Sequence, residues 1–338
     1  MAVSIANRLS HPLLLELLAD GRLHSGERLA QQLGVSRAAV WKGVQRLRGM
    51  GLEVQAQPRR GYCLPQPVEL LDARRISAEI DPQRVALLRK LELLFEVDST
   101  NSRLLGRAPP PAGGADATLC EIQHAGRGRR GRPWIAPFGS GLALSMAWTF
   151  PDGARTLSAL SLAVGVAVAR ATLRAGAHGV TLKWPNDICF EGRKLGGVLI
   201  ELRAEASGPA HVVIGVGLNV SLSAPARHEI EAGGACVAAA ADACAAAPSR
   251  NVLAGAILDE LLSMLGQFER EGFAAFRDAW TALDSLSGRP ARVLLSDTVR
   301  VGTARGVDEE GALLLETRDG LQRFVSGEAS LRPVEDDI

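Results

Sequence analysis

Nine residues near the middle of the chain, Gly126-Arg127-Gly128-Arg129-Arg130-Gly131-Arg132-Pro133-Trp134, set three glycines among four arginines. Glycine lets a backbone fold closely around a bound group and turn its N–H groups inward. Guanidinium forks match the oxygens of phosphate and carboxylate. At a chain end this composition would read as a solvated basic tail. Here it lies between two strand-like runs and closes on Pro-Trp, which favours an anion-binding loop. It is not a P-loop, because GxxxxGK[ST] occurs nowhere in the chain, and it is not a dinucleotide fingerprint. Three more polar islands sit beside apolar runs. Asp98-Ser99-Thr100-Asn101 offers hydroxyl and amide groups. Lys183-Trp184-Pro185-Asn186-Asp187 places a cation, an amide and a carboxylate within five residues. Arg193-Lys194-Leu195-Gly196-Gly197 heads an apolar strand, where a lysine can reach a ligand lying on the sheet. Each alone is an ordinary turn or loop; together with the Gly/Arg loop they describe a site for anions.

Such groups need a sheet to hold them. Strand-like runs are Leu91 to Val97, Ala117 to Ile122, Leu142 to Trp148, Val198 to Leu202 and His211 to Gly217. Leu157 to Ala175 is a long apolar helix, and Val252 to Trp280 carries helical periodicity through Leu253, Ile257, Leu261, Met264 and Leu265. Ala232 to Ala247 is Ala/Gly-rich and reads as a loop or short helix. Beyond Ser287-Gly288-Arg289-Pro290 the pattern changes to short alternating strands with a turn at Ser296-Asp297, which suggests a small all-β barrel.

The first 64 residues differ in charge from the rest, with nine Arg and Lys against four acids, a net +5. Glu27 to Leu33 is a short amphipathic helix, Gly34-Val35-Ser36 a tight turn, and Ser36 a good N-cap for a helix from Arg37 to Arg48. That helix turns Val40, Val44 and Leu47 to one face, leaving Arg37, Trp41, Lys42 and Gln45 elsewhere. Leu52 to Ala56 and Tyr62 to Leu64 flank Pro58-Arg59-Arg60-Gly61, a hairpin whose tip can lay two arginines on phosphates. Cap, turn, basic helix and basic wing together read as a winged helix-turn-helix; a helical protein-interaction module with a solvated basic face is the plainer alternative. A module of this small charge binds DNA weakly and salt-sensitively, so specific binding calls for a dimer. The candidate DNA contacts are Ser36, Arg37, Trp41, Lys42, Gln45, Arg59 and Arg60. Pro65-Gln66-Pro67 reads as a linker.

The expected division is therefore residues 1–64, 72–286 and 288–338. With 338 residues, 47% hydrophobic, and 38 Lys and Arg against 37 Asp and Glu, the whole is a globular chain and not a polybasic one. Five cysteines without a CxxC suggest neither a disulfide framework nor a thiolate metal site. No apolar run reads as long enough for a bilayer and the N-terminus has no signal-peptide pattern, so no membrane and a cytoplasmic location are expected.

Ser99-Thr100-Asn101, Gly126 to Arg132 with Trp134, Lys183 to Asp187, Arg193 to Gly197 and Gly215-Val216-Gly217-Leu218-Asn219, in this order and spacing, resemble the motif set of biotin protein ligases. With the winged helix in front, and Gly327-Glu328-Ala329-Ser330-Leu331-Arg332 near the end, the chain resembles the bifunctional bacterial type, ligase and biotin operon repressor in one polypeptide. The resemblance implies an α/β fold: an N-terminal winged helix-turn-helix, a central mixed-sheet domain related to class II synthetases, and a C-terminal SH3-like β-barrel. It implies ATP with Mg²⁺ carried on its phosphates, biotin as substrate, a biotin carboxyl carrier protein and operator DNA as partners, a ligand-promoted homodimer, and no protein-held metal. Ser99, Thr100, Asn101, Gln123, Arg127, Gly128, Arg129 and Lys194 would surround biotin. Gly126, Arg130, Arg132, Trp134, Lys183, Asn186 and Asn219 would hold ATP or the adenylate. Lys194 and Arg129 would act on the reacting groups, with Asp187 aiding metal binding or deprotonating the target lysine. In this family the loop after Gly-Leu-Asn often carries a Trp over the adenylate; Val220 to Ala247 has none and offers Ile230, Val237 and alanines. A sensor that has lost the chemistry, a ligase whose first module represses nothing, and a lipoate ligase are the competing readings.

Overall fold

The computed structural model describes residues 11–153, 157–204, 208–295, 298–325 and 330–333. Two compact units emerge, one of Met1–Leu70 with Pro137–Gly139, the other of Leu71–Ala136 with Ser140–Ile338.

In the first unit α1 (His11–Leu18), α2 (Gly26–Leu33) and α3 (Arg37–Gly49) precede a hairpin, β1 (Gln55–Gln57) and β2 (Gly61–Cys63). Leu14, Leu15 and Leu18 from α1, Leu29 from α2 and Val40, Val44 and Leu47 from α3 are buried. Helix α1 carries no cap or periodic signal that marks it in the sequence, yet it contributes three leucines to this core. Gly34 takes φ +63° between α2 and α3, a conformation that favours glycine. The Ser36 hydroxyl caps α3 by accepting from the Ala39 N–H at 3.2 Å. The hairpin is anchored by reciprocal backbone bonds between His24 and Tyr62, both 2.9 Å.

The second unit contains a seven-stranded sheet. Its strands are β3 (Leu88–Val97), β4 (Ala115–Gln123), β5 (Gly141–Phe150), β6 (Val180–Lys183), β7 (Asp187–Phe190), β8 (Arg193–Ala204) and β9 (Ala210–Asn219), in the order β3-β4-β5-β9-β8-β7-β6. Only β3 and β4 run parallel among these neighbours, so the sheet is mixed. The short α4 (Ala73–Ala78) and α5 (Pro82–Val85) precede β3, α6 (Thr100–Leu105) lies between β3 and β4, and α7 (Leu160–Arg174) follows β5. After β9 come α8 (Ala224–Glu231), α9 (Arg250–Glu271) and α10 (Ala274–Leu283). The helical periodicity over 252–280 is thus two helices, broken at Gly272, whose φ of +65° no helix continues through. Strands β6 and β7, four residues each around the Trp184–Asn186 turn, escape a periodicity reading because they are too short for it.

Helix α7 corrects one expectation. Leu157–Arg174 is long and apolar enough, by length and composition, to cross a bilayer. Most of it is buried, and α7 packs along α9 and α10, as a core helix does.

The same unit ends in β10 (Pro290–Leu294), β11 (Val299–Val307), β12 (Leu313–Thr317), β13 (Gly320–Phe324) and β14 (Ser330–Pro333). They form a five-stranded antiparallel sheet in the order β13-β12-β11-β10-β14. The expected turn at Ser296-Asp297 and the stretch Gly327 to Ala329 lie outside the described residues. Buried Trp184 donates its indole N–H to the Gly311 carbonyl at 3.1 Å, tying the β6–β7 turn to this sheet. Gly311, at φ +77°, sits directly against Ala159, where a side chain would not fit.

Candidate functional site

The N-terminal end of α6 is built by hydrogen bonds that the sequence could only offer as types. Ser99 caps α6 by accepting from the Ser102 N–H at 3.4 Å. Gln123, the last residue of β4, accepts through Oε1 from the Thr100 N–H at 2.9 Å and from the Thr100 hydroxyl at 3.2 Å. Ser145 on β5 is buried, with its hydroxyl 2.5 Å from Asn101 Oδ1 and 2.7 Å from Thr100 Oγ1. Asn101 Nδ2 donates to Glu201 Oε2 at 2.7 Å and to the Leu199 carbonyl at 3.4 Å. Gly215 on β9 leaves the room that the Asn101 amide fills, and Gly217 leaves the room that the Trp134 ring fills.

The Gly/Arg loop closes over this floor. The Trp134 N–H bonds the Gly126 carbonyl at 2.8 Å and the Gly128 N–H bonds the Arg132 carbonyl at 2.7 Å, so the loop is a tied bight and not a tail. Arg127 reaches the sheet, its Nη2 2.9 Å from Ser102 Oγ and 3.2 Å from Glu201 Oε1. Arg129 is half-buried and donates to Asn186 Oδ1 at 3.3 Å, while Asn186 Nδ2 donates to the Val198 carbonyl at 2.7 Å. Burial, then crowding by Arg130, pulls the Arg129 guanidinium below its usual range. A cation in that state gains more from an incoming anion than a solvated one.

Opposite stands a lysine pair on one carboxylate. Asp187 Oδ1 accepts from Lys194 Nζ at 2.6 Å, and Asp187 Oδ2 lies 3.0 Å from Lys183 Nζ. Burial works to raise the Asp187 carboxyl, but Lys194 and Lys183 together hold it below the ordinary value. A carboxylate so placed is a counter-ion that orients Lys194; it is a poor general base. Lys194 is itself pinned by its backbone, which exchanges bonds with Cys236 and Ala238, both 2.9 Å. The segment after α8 is thereby laid along the head of β8. Asn219 Nδ2, buried, donates to the Ala238 carbonyl at 3.0 Å in the same region.

These groups line one cavity of about 670 Å³. Ser99, Thr100, Asn101, Gln123, Arg127, Gly128, Arg129, Arg130, Arg132, Trp134, Lys183, Asn186, Asp187, Lys194 and Asn219 all contribute to its wall. Gly126 does not; it is buried at the neck of the loop, where a side chain would meet the Trp134 carbonyl. Three wall residues come from the C-terminal sheet, Arg292, Leu331 and Arg332, and Ile230 and Cys236 come from the segment after β9. Sequence reasoning offered Ile230 but missed Arg292, Leu331, Arg332 and Cys236 as a wall, and it missed Ser145 and Glu201 behind it. Ser145 left a trace, a hydroxyl inside an apolar strand; Arg292 left none, being one of many exposed arginines until the fold brings it to the cavity edge. The volume suits a drug-sized ligand, and a wall with this many cations beside a single acidic lining residue among the described residues suits an anionic one.

Comparison with known proteins agrees with this chemistry. Residues 97–219 match the Biotin/lipoate A/B protein ligase family, residues 12–63 an HTH domain, and residues 286–332 the Biotin protein ligase C terminal domain. The bifunctional ligase/repressor BirA of Escherichia coli is 40% identical over 322 residues, covering 95% of this chain and 97% of its own. The chain belongs to the bifunctional biotin ligase/repressor family. The biotin–[acetyl-CoA-carboxylase] ligase of Mycobacterium tuberculosis is 36% identical over 236 residues, 68% of this chain and 84% of that protein. Among solved structures, the biotin protein ligase of Aquifex aeolicus in complex with biotin and ATP aligns with a TM-score of 0.62 at 27% identity, covering 73% of this chain and 100% of that one.

The ligase/repressor family also accounts for the first unit, whose helix-turn-helix presents the residues singled out for DNA. Arg37, Trp41 and Lys42 are exposed along α3, Trp41 at 53%, while Gln45 is half-buried. Ser36 serves as the cap, with its side chain turned to the helix N-terminus. Arg59 and Arg60 are exposed at the hairpin tip, Arg59 at φ +62°.

Proposed function

We propose that this chain is an ATP-dependent biotin protein ligase that forms biotinyl-5'-AMP, transfers biotin to a lysine of a biotin carboxyl carrier protein, and represses transcription with the adenylate as corepressor. The observation that carries the reading is the apposition, in one cavity, of the Arg-rich loop and the Lys183–Asp187–Lys194 turn over a floor of hydroxyl and amide groups. Ser99, Thr100 and Gln123 suit a ureido ring, which both donates and accepts. Asn101, its amide spent within the protein, shapes the floor beneath that ring. Arg129, Arg130, Arg132, Lys183 and Lys194 suit the carboxylate and the phosphates, with Trp134, Asn186 and Asn219 beside the nucleotide.

In the first step a biotin carboxylate oxygen attacks the α-phosphorus of ATP, a P–O bond forms, and the bond to pyrophosphate breaks. Two anions must meet, so fixed cations lower the barrier most. In the second step the target lysine's neutral ε-amine attacks the acyl carbonyl, AMP leaves, and the amine proton passes to solvent. Lys194 stabilises the developing oxyanion. Asp187 orients Lys194, in place of the expected part in metal binding or in deprotonating the target lysine. Mg²⁺ arrives on the nucleotide, carried by its phosphates. The five-stranded C-terminal sheet is read as an SH3-like barrel and the central sheet as class II synthetase-like. Repression is read as the act of a ligand-promoted homodimer on a two-fold site.

The test is transfer from biotin, ATP and Mg²⁺ to a carboxyl-carrier domain, read as a mass increase on its lysine. Lys194→Ala is expected to cut adenylate formation by roughly 10²-fold or more, the scale of losing one charge-stabilising donor. Near-normal turnover in that variant removes Lys194 from the reacting centre. Tight biotin binding without transfer in the wild type makes the chain a sensor instead.

A further inference from the structure

Glu201 is the one acidic side chain, among the described residues, that bonds both the cavity floor and the Gly/Arg loop, yet it does not itself line the cavity. It projects from β8 with 27% of its side chain exposed. Oε2 accepts from Asn101 Nδ2 at 2.7 Å and from Arg127 Nη2 at 3.4 Å, and Oε1 accepts from Arg127 Nη2 at 3.2 Å. Asn101 is otherwise held by the Ser145 hydroxyl at 2.5 Å, by the Leu199 carbonyl at the longer 3.4 Å and by the surface of Gly215, so Glu201 is the short acceptor of its amide N–H. Arg127 belongs to the loop and is 43% exposed; Ser102 Oγ ties it to α6 and Glu201 ties it to the sheet.

We propose that Glu201 is a positioning residue for biotin binding: its carboxylate clamps Arg127 and Asn101 at once, fastening the loop to the floor before any ligand enters. The proposal rests on the ligase reading and adds to it a group that acts only through two wall residues. A preformed wall saves the ligand the ordering cost of a loop and an amide. Arg127 thereby enters the site already charge-paired, leaving Arg129 and Lys194, whose contacts lie on the 183–197 turn, to receive the reacting anions. Loss of the clamp falls on capture of biotin and not on the chemical step.

The experiment measures pyrophosphate release by the full-length chain against biotin concentration at saturating ATP, with biotin calorimetry in parallel. Variants are Glu201→Ala, Glu201→Gln, Arg127→Ala and the double Glu201→Ala/Arg127→Ala. Glu201→Ala is expected to raise KM for biotin about tenfold, the worth of a charge-assisted hydrogen bond, with kcat within about twofold. Glu201→Gln keeps an acceptor for Asn101 but no charge for Arg127, so its KM falls between. In the double variant the KM increase is smaller than the product of the single ones. Unchanged KM in the glutamine and alanine variants, a loss confined to kcat, or full multiplicativity in the double variant overturns the clamp. If the alanine variant does not fold, the isosteric glutamine decides alone. A wild type that binds no biotin and makes no adenylate overturns the ligase reading together with the clamp; an active wild type with indifferent variants overturns only the clamp.

Discussion

Asp187 sits between two ammonium groups, and its titration follows from that. Its folded pKa is depressed below the ordinary 3.8 because Lys194 and Lys183 outweigh the effect of burial. A depressed carboxylate stabilises the fold above its unfolded pKa, and that contribution is lost as pH falls through the lower folded value. The trio therefore stays intact throughout the neutral range and comes apart only in strong acid. Asp187→Asn leaves two lysines without their shared counter-ion. Full burial would make such a loss about 3–5 kcal/mol, but Lys194 is 33% exposed, so a cost of roughly 2 kcal/mol is expected at pH 7. Denaturant midpoints at pH 7 and at pH 3 check this. The gap from wild type should narrow at the lower pH, and a gap that widens contradicts the ion-pair account.

At the scale of the element, strand β9 is a floor made by omission. Gly215 and Gly217 face the same side, two residues apart, and each leaves a gap that a neighbour fills: the amide of Asn101 over the first, the ring of Trp134 over the second. A strand interior normally loses stability to glycine, so two of them in a central strand mark a close approach. Gly217→Val puts a branched side chain where the Trp134 ring lies and is expected to weaken biotin binding at least tenfold. The sheet itself should hold, since valine suits a strand. Calorimetry with biotin and a thermal scan separate the two effects. Full affinity in this variant would mean that the ring is free to sit elsewhere. Helix α3 shows the opposite economy, because its cap, its turn glycine and its buried stripe were all readable from residue types in order.

Across the whole molecule, charge is distributed by role. The net balance is +1, yet the first 64 residues carry +5 and the cavity wall gathers arginines from the Gly/Arg loop and cations from strands far apart in sequence. The first unit's charge sets a salt dependence. Binding to a two-fold operator should weaken steeply as salt rises, and biotin with ATP should strengthen it by favouring the dimer. Arg59→Ala and Arg60→Ala, at the hairpin tip, should each lower the slope of log K against log salt by about one and weaken all sequences alike. Titrations on operator and random DNA at several salt concentrations measure both quantities. A change of sequence preference with an unchanged slope would move those arginines from phosphates to bases. The C-terminal sheet serves the cavity instead. Trp184 and Ser158 donate to the carbonyls of Gly311 and Glu310, and Arg292 and Arg332 reach the wall from it.

Sequence alone determined the parts whose physics is local. The helix-turn-helix follows from a cap, a left-handed glycine and a 3.6-residue stripe, and the anion loop from glycines and arginines in one short run. Five strands of the mixed sheet were legible as apolar runs, most plainly β4 and β5, whose burial on both faces leaves such runs behind. The tertiary structure alone decided which groups meet. The two lysines that share Asp187, and the Ser145 and Glu201 that hold the Asn101 amide, come from other elements, and those pairings could not be read in the sequence. Glu201 and Arg292 were ordinary polar residues on strands until sheet order brought one behind the loop and the other to the cavity. Pairings across about a hundred residues, such as Asn101 with Glu201, leave no periodicity in the chain. They arise from which strands lie side by side, which is settled by burial of the whole core and not by any one segment.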